Sequence, residues 1–484
     1  MFVGLDLGTS GLRALVIDDA QQVICAYEAS YDTARPHPGW SEQAPADWTA
    51  ACIAVFDQLR AGRPDLAAAI RGIGVSGHMH GATLLDKSGA VLRPCMMWND
   101  TRSADQAARL DAIPGFRDIS GNIVFPGFTA PKLLWVAENE PDIFARTAHV
   151  HLPKDYLNFW LTGIHASDMS DSAGTSWLDV GARDWSPALL DASGMRRDQM
   201  PDLFEGTAPI GTLRPDIAAR LGLSPGVIVA AGAGDNAAAA CGIGALSQGQ
   251  GFVSLGTSGV LLTGRDSYTP NAASAVHTFC HAVPGRWYQM GVILAATDSL
   301  NWLARTLDQS PTELAATLGP SIGGPGRLRF LPYLSGERTP HNDADLRGAL
   351  IGLEIAHGPR DLVQAVIEGV SYALRDNLDA LNSAGADLQS LIAIGGGAQS
   401  PYWVELIATL LDIPVSLPAR GEFGAALGAA RLGLCAATGA HPDTVMTRPA
   451  IAHTIHPRGD LRDAYMAAHA AFSQSYPAIK ALQS

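Results

Sequence analysis

Two aspartates in this sequence stand where a phosphoryl-transfer site would need carboxylates. Asp6 directly precedes the pentapeptide Leu7-Gly8-Thr9-Ser10-Gly11, and Asp235 follows the turn Gly232-Ala233-Gly234 after the apolar run Val227–Ala231. The pentapeptide recurs as Leu255-Gly256-Thr257-Ser258-Gly259, about half the chain further on. Glycines let a backbone approach a phosphate closely, successive N–H groups form an anion nest, and Thr and Ser hydroxyls add donors. Two such tips facing each other would clamp one polyphosphate. Only the first has an acid before it, the second having Ser254 there, so one metal-phosphate site is expected, with Asp6 as its Mg²⁺ partner.

An aspartate just past a Gly-rich turn at a strand end can project into a cleft as a general base, but the same residue type also caps helices. Position alone leaves both roles open for Asp235. Gly395-Gly396-Gly397-Ala398, after the apolar run Leu391–Ile394, offers a surface bare of side chains on which a nucleoside could lie, or is a tight strand–helix turn. His78-x-His80 and His277-x-x-x-His281 have metal-ligand spacing without an obvious third ligand, which favours a hydrogen-bonding histidine over zinc. No Walker A pattern occurs. The GxGxxA at Gly232 lacks the ribose-binding acid that a dinucleotide fold wants about 20 residues on, since no Asp or Glu lies between Asp235 and Asp266.

These groups need strands to carry them. Each pentapeptide lies between two apolar runs, Phe2–Leu5 and Leu12–Ile17 for the first, Gly251–Ser254 and Val260–Thr263 for the second, so both read as hairpins. Gly72–Ser76, Val227–Ala231 and Leu391–Ile394 read as further strands, and Ala44–Leu59, Asp361–Leu381 and a closing segment Asp460–Ser484 as helices. The class is α/β with two lobes, divided near Gly244 into 1–244 and 245–484.

The 484 residues include 47% hydrophobic and 17% charged side chains, the balance of a folded globular protein. A net charge of −14 repels phosphate backbones and anionic lipid, so neither nucleic acid nor a membrane is expected as a partner. The uncharged stretch from Asn236 to Gly264 is too rich in Gly and polar residues to span a bilayer. Six scattered cysteines without a CxxC pair fit reduced thiols, and the start reads as a strand rather than a signal peptide; a cytoplasmic location is expected.

Nearly the whole chain resembles the FGGY carbohydrate kinases, whose two-lobed ribonuclease H-like fold is shared with hexokinase and actin. Gly127–Asn139 (GFTAPKLLWVAEN) fits the family's first signature and Gly348–Glu368 its second. SGHMHGATLLD from Ser76, MMWND from Met96, LPKDYL from Leu152, SDMSDSAGTSWLDV from Ser167, GDNAA from Gly234, SLGTSGV from Ser254 and FLPYLSGERTPHN from Phe330 are similar to segments of members acting on ketopentoses. Ala233 departs from the pattern, standing where a glycine is expected, which matters only if the position needs positive φ.

The resemblance implies ATP-dependent phosphorylation of D-xylulose at its C5 hydroxyl, with D-ribulose, L-xylulose, glycerol and gluconate as alternative acceptors. It makes Asp235 the base, Asn236 a second sugar contact, and Met79 and His80 the lining of the ketose end. Gly8, Thr9, Ser10 and Arg13 would approach the phosphates from one lobe, with Asp6 holding Mg²⁺ directly or through water, and Gly256 and Thr257 would meet them from the other. Gly396, Gly397 and Ala398 would border adenosine, and Thr297 matches a nucleotide-contacting position of the glycerol kinase relatives. Trp98, Asn99 and Asp168 sit in family-like segments without an assigned role. A homodimer is expected by analogy. An actin-like ATPase or a silent sugar sensor on the same fold would lack sugar-dependent phosphoryl transfer.

Overall fold

The structure is a computed structural model and describes residues 1–419 and 424–483. Its two large sheets have the same plan. In the first, the strand order is Val23–Ser30, Gly11–Ile17, Phe2–Leu7, Gly72–Gly77, Ile228–Ala230 and Pro209–Thr212, with Ala233–Gly234 also pairing with Gly72–Gly77. In the second it is His277–Cys280, Trp287–Ile293, Gly259–Arg265, Gln250–Leu255, Ser390–Ile394, Val415–Pro418 and Ile451–Ile455. Each pentapeptide strand pairs antiparallel with its hairpin mate and parallel with a later strand, Gly72–Gly77 or Ser390–Ile394. This is the duplicated α/β plan of the ribonuclease H-like fold.

The alternation of strand side chains decides what covers each face. Val3, Leu5 and Leu7 pack with Trp48, Cys52, Val55 and Phe56 of the helix Pro45–Gly62. The opposite face of the same strand carries Phe2, Gly4 and Asp6, and there the covering helix is Ala425–Thr438, which comes from the second half of the chain. It lies so close that a Cβ at Gly4 would stand 1.8 Å from the Ala426 carbonyl oxygen, and one at Gly74 1.9 Å from that of Ala429. The second sheet is covered by Pro359–Ser383 and Pro401–Leu411, with Val253, Leu255, Val370, Trp403 and Leu406 in its core.

Every strand of the first sheet precedes Gly244 and every strand of the second follows it, while Ala425–Thr438 crosses back. The crossing helix packs on Asp235–Ile243: a Cβ at Gly428 would lie 1.7 Å from the Ala238 carbonyl oxygen. Arg431 donates to the carbonyls of Cys241, Gly242 and Thr447 at 2.9–3.0 Å, satisfying orphan acceptors at the end of Asp235–Ile243. The closing segment is two helices, Gly459–Ser473 and Ser475–Gln483, where a single one was expected. Pro477 explains the break, because it offers no N–H to the carbonyl of Ser473 and its ring crowds that oxygen. Ser484 lies outside the described residues.

Candidate active site

The first tip is held from behind. Tyr31 Oη donates to the Gly8 carbonyl at 2.5 Å, Gln43 Nε2 to that of Thr9 at 2.6 Å, and Thr33 Oγ1 to the same oxygen at 3.3 Å. The Gly8 N–H closes the hairpin onto the Gly11 carbonyl at 2.9 Å, which leaves the Thr9 and Ser10 N–H groups and hydroxyls to meet a ligand. Trp98 Nε1 donates to Thr9 Oγ1 at 3.1 Å, which gives Trp98 a place at the tip. Asp6 is paired in register with Arg13 on one side and Ser76 on the other, and its Oδ1 accepts the Ser76 hydroxyl at 2.8 Å. Burial raises the Asp6 pKa, and Ser76 and Arg13 partly oppose the shift. Arg13 itself lies 3.3 Å from Glu28.

The second tip is one residue tighter, since Leu255 pairs with Gly259 whereas Leu7 pairs with Leu12. It is supported by the helix Thr297–Leu307: Thr297 N and Oγ1 both donate to the Gly256 carbonyl, at 2.9 and 2.7 Å, and Ala296 N donates to that of Thr257 at 2.8 Å. Thr297 is therefore the joint between this tip and a neighbouring cavity of about 440 Å³, which Gly396, Gly397, Gln399, Leu300 and Trp403 also line. A methyl group at Gly396 would meet nothing within 4 Å, so this residue presents open backbone to that space. Ala398 does not line the cavity; it packs against the core of the second sheet.

Asp235 begins the helix Asp235–Ile243, directly after the short strand Ala233–Gly234. Ser76 pairs with both Asp6 and Ala233, so Asp6 and the strand that leads into Asp235 flank Gly72–Gly77, two strand spacings or roughly 10 Å apart. Asn236 donates to Asp235 Oδ1 through its backbone N–H at 2.6 Å and its amide at 2.9 Å. Burial, followed by the nearby Asp6 charge, pushes the Asp235 carboxyl up to about 7 against the pull of Asn236. That value suits a group that must accept a proton near neutrality. Ala233 has no positive φ and sits buried in its strand, so the departure from glycine is accommodated.

Beneath Asp235 lies a buried ion cluster. Lys154 Nζ is 2.5 Å from Asp155, 2.8 Å from Asp168 and 3.9 Å from Asp171. Asp168 accepts the backbone N–H and hydroxyl of Ser170, whose Oγ accepts the Gly234 N–H at 3.1 Å. Asp168 thus ties the cluster to the residue preceding Asp235. Burial and the neighbouring carboxylates favour the neutral form of Asp171.

A cleft of about 170 Å³ opens in front of Asp235 and Asn236. Thr9 of one tip and Ser258 of the other both reach it, together with His78, Met79, His80, Trp98, Phe128 and Arg338. His80 has φ of 72°, stacks on Phe128 at 4.4 Å, and places Nδ1 2.7 Å from the Gly174 carbonyl. Lys132 of the first signature is fully buried and donates to the carbonyls of His80 and Gly127 at 2.9 and 2.7 Å, fixing this wall. Burial lowers the pKa of His78 and His80 to about 3, so both rings are neutral at ordinary pH.

The structure brings Met79, His80, Asp235, Asn236 and Thr9 to one cleft, and Thr297, Gly396 and Gly397 to the other. Gly8, Ser10, Gly256 and Thr257 form the tips, with Arg13 and Asp6 on the strands beside the first. Asn99 lines neither cavity. Sequence reasoning missed Ser258, Lys132, Lys154 and Arg338. Ser258 was legible as the counterpart of Ser10, but the buried lysines and Arg338 have no local pattern that announces them.

Sequence models of the FGGY family of carbohydrate kinases match the chain at residues 1–242 for the N-terminal domain and 251–437 for the C-terminal domain. The chain is 46% identical over 440 residues to a xylulose kinase of Escherichia coli strain K12, covering 90% of each. A crystal structure of a xyloylose kinase from Brucella ovis superposes with a TM-score of 0.97 at 57% identity, covering 99% of each chain. The xylulose kinase structure from Rhodospirillum rubrum gives 0.92 at 27% identity, covering 100% of this chain and 99% of that one.

Proposed function

The chain belongs to the FGGY family of carbohydrate kinases, and we propose that its acceptor is D-xylulose, phosphorylated by ATP at the C5 hydroxyl to give D-xylulose 5-phosphate in D-xylose catabolism. The observation that carries this reading is the meeting of Asp235, with a pKa near 7, and residues of both tips, Thr9 and Ser258, on one cleft. A sugar hydroxyl at Asp235 would face a phosphate held by the tips. Kinship with proteins named xylulose kinase supports the choice of sugar.

In the step proposed, the C5 oxygen bonds to the γ-phosphorus as the bond to the β–γ bridging oxygen breaks. The proton of the C5 hydroxyl passes to Asp235, and ADP departs. Phosphoryl transfer needs little covalent help from protein, so alignment and charge stabilisation carry most of the work. Asn236 holds the carboxylate in place, Met79 and His80 wall the sugar, and the N–H and hydroxyl groups of Thr9, Ser10, Gly256 and Thr257 receive the phosphates, with Gly8 allowing their close approach. Gly396 and Gly397 flank the adenosine, with Thr297 linking that pocket to the second tip.

Asp6 suits a hard cation: it is a carboxylate with Oδ1 on Ser76, beside the phosphate tip. Mg²⁺ held there, directly or through water, would neutralise phosphate charge. Approach of the lobes would exclude water that otherwise competes with the sugar. A cytoplasmic homodimer, each chain with its two domains meeting near Gly244, completes the proposal. The reading is tested by ³¹P and ¹³C NMR of the product formed from ATP and D-xylulose, which should show phosphorus coupled to C5; coupling to C1 would reject the proposed orientation.

A further inference from the structure

Arg338 is a cation from the second half of the chain delivered to the sugar cleft with no hydrogen bond or ion pair to its guanidinium among the described residues. Its backbone is anchored by its neighbours: Thr339 N donates to the Val292 carbonyl at 3.1 Å, Thr339 Oγ1 to that of Ala275 at 2.9 Å, and Asn342 N to that of Arg338 at 2.6 Å. Glu337, whose charge acts on Arg338 without an ion pair between them, spends Oε1 on the N–H groups of Leu294 and Arg338 at 3.2 and 2.7 Å. Among the described residues the Arg338 guanidinium makes no hydrogen bond or ion pair; it lies over the Phe125 ring, 4.8 Å from the centroid, and lines the cleft.

The guanidinium sits at the aromatic wall of the cleft: Phe125 beneath it contacts His277 and Phe128, and Phe128 carries the stacked His80 ring. It also acts electrostatically on His80 and His277. His277, which packs between Phe125 and Phe128, has both ring nitrogens buried and unpartnered among the described residues. A guanidinium carries donors only, so what it lacks is an acceptor.

The chemistry of the acceptor supplies one. A 2-pentulose that closes to a furanose uses its C5 oxygen to attack C2, so only the open chain has a C5 hydroxyl to phosphorylate. That form necessarily exposes a C2 carbonyl, three carbon–carbon bonds from C5. A ketone oxygen only accepts, which matches the guanidinium. An alcohol oxygen at C2 can accept as well, but it brings a hydrogen for which the guanidinium offers no acceptor and which must be satisfied elsewhere in the cleft.

We propose that Arg338 is a specificity-determining residue that selects the open-chain 2-ketose by donating to its C2 oxygen while the C5 hydroxyl lies at Asp235. This rests on the ketose reading above and adds the residue that enforces it. Because Arg338 comes from the opposite half of the chain to Asp235, a bound ketose spans the two, and its carbonyl end tethers them together.

The test compares D-xylulose with xylitol, its C2-reduced counterpart, by calorimetric binding without nucleotide and by turnover with MgATP, for the wild type, Arg338→Met and Arg338→Lys. Loss of a hydrogen bond from a charged donor predicts that Arg338→Met weakens D-xylulose binding about 10- to 100-fold while xylitol binding moves less than about 3-fold. Arg338→Lys, which keeps the charge without the planar fork, should fall between. ATP binding and melting temperature, measured alongside, establish that each variant is folded. Equal losses for both ligands, or none for D-xylulose in a folded variant, would overturn the assignment while leaving the kinase reading intact if the wild type still turns over D-xylulose. A wild type that uses D-gluconate and no 2-ketose would overturn both, since a carboxylate would then be what Arg338 meets.

Discussion

Asn236 donates twice to the same oxygen of Asp235, through its backbone at 2.6 Å and its side-chain amide at 2.9 Å, so Oδ2 is the oxygen left to take a proton. Replacing Asp235 with Asn keeps the shape and removes the proton acceptor. Asp235→Asn should lower sugar-dependent kcat by about 10²-fold or more, with ATP affinity preserved. Steady-state kinetics and nucleotide binding check this, and a variant with near-normal turnover would remove Asp235 from the proposed step.

A carboxyl raised to about 7 must lose its proton before it can act as a base. On the acid side of pH 7, kcat/KM should therefore fall about tenfold per pH unit. Stability runs the other way. The folded pKa exceeds the unfolded one, so ionising Asp235 in the folded protein costs stability above pH 7, and the cost fades as pH falls from 7 towards 4. Asp235→Asn should accordingly melt higher than the wild type at pH 8 and not at pH 4.5, read by calorimetry at the two pH values.

Lys154 is the one cation beside the buried carboxyl groups of Asp155, Asp168 and Asp171 among the described residues, with no solvent to replace it. Lys154→Met leaves them buried without a cation and should cost about 3–5 kcal/mol of stability. Denaturant unfolding measures this. A loss below about 1 kcal/mol, the worth of an exposed pair, would mean that the cluster is not held by its lysine.

Gly396 tests the nucleotide cavity without disturbing the core. A side chain there meets no protein atom within 4 Å at its first carbon and enters the cavity. Gly396→Leu should raise the KM for ATP by about tenfold or more at unchanged melting temperature and unchanged sugar binding. An unaltered KM would place the adenosine elsewhere.

The hairpins, the acids beside them and the glycine-lined nucleotide surface could be read from sequence because each is local: a repeated pentapeptide, an Asp after a Gly-rich turn, a glycine run after a strand. What could not be read is what depends on long-range packing. Gly4 and Gly74 look like ordinary strand glycines until Ala425–Thr438 arrives from the far end of the chain and needs their missing side chains. Trp98 and Asp168 carried no role until the fold put one on Thr9 and the other beneath Gly234 by way of Ser170. Ala398 sits within the glycine run, yet its side chain is turned into the core, a matter of local backbone direction that composition does not record. Arg338 is invisible because its neighbours in the cleft are all remote from it in sequence.

The measurement that tests the central claim most directly is ADP release from MgATP, coupled to a spectrophotometric readout, without sugar and then across concentration series of D-xylulose, D-ribulose, L-xylulose, glycerol and D-gluconate. A kinase specific for D-xylulose releases ADP slowly without acceptor and shows its highest kcat/KM with D-xylulose. A higher kcat/KM for another acceptor would contradict the sugar assignment, and ADP release that is the same with and without any sugar would contradict phosphoryl transfer to a carbohydrate at this site.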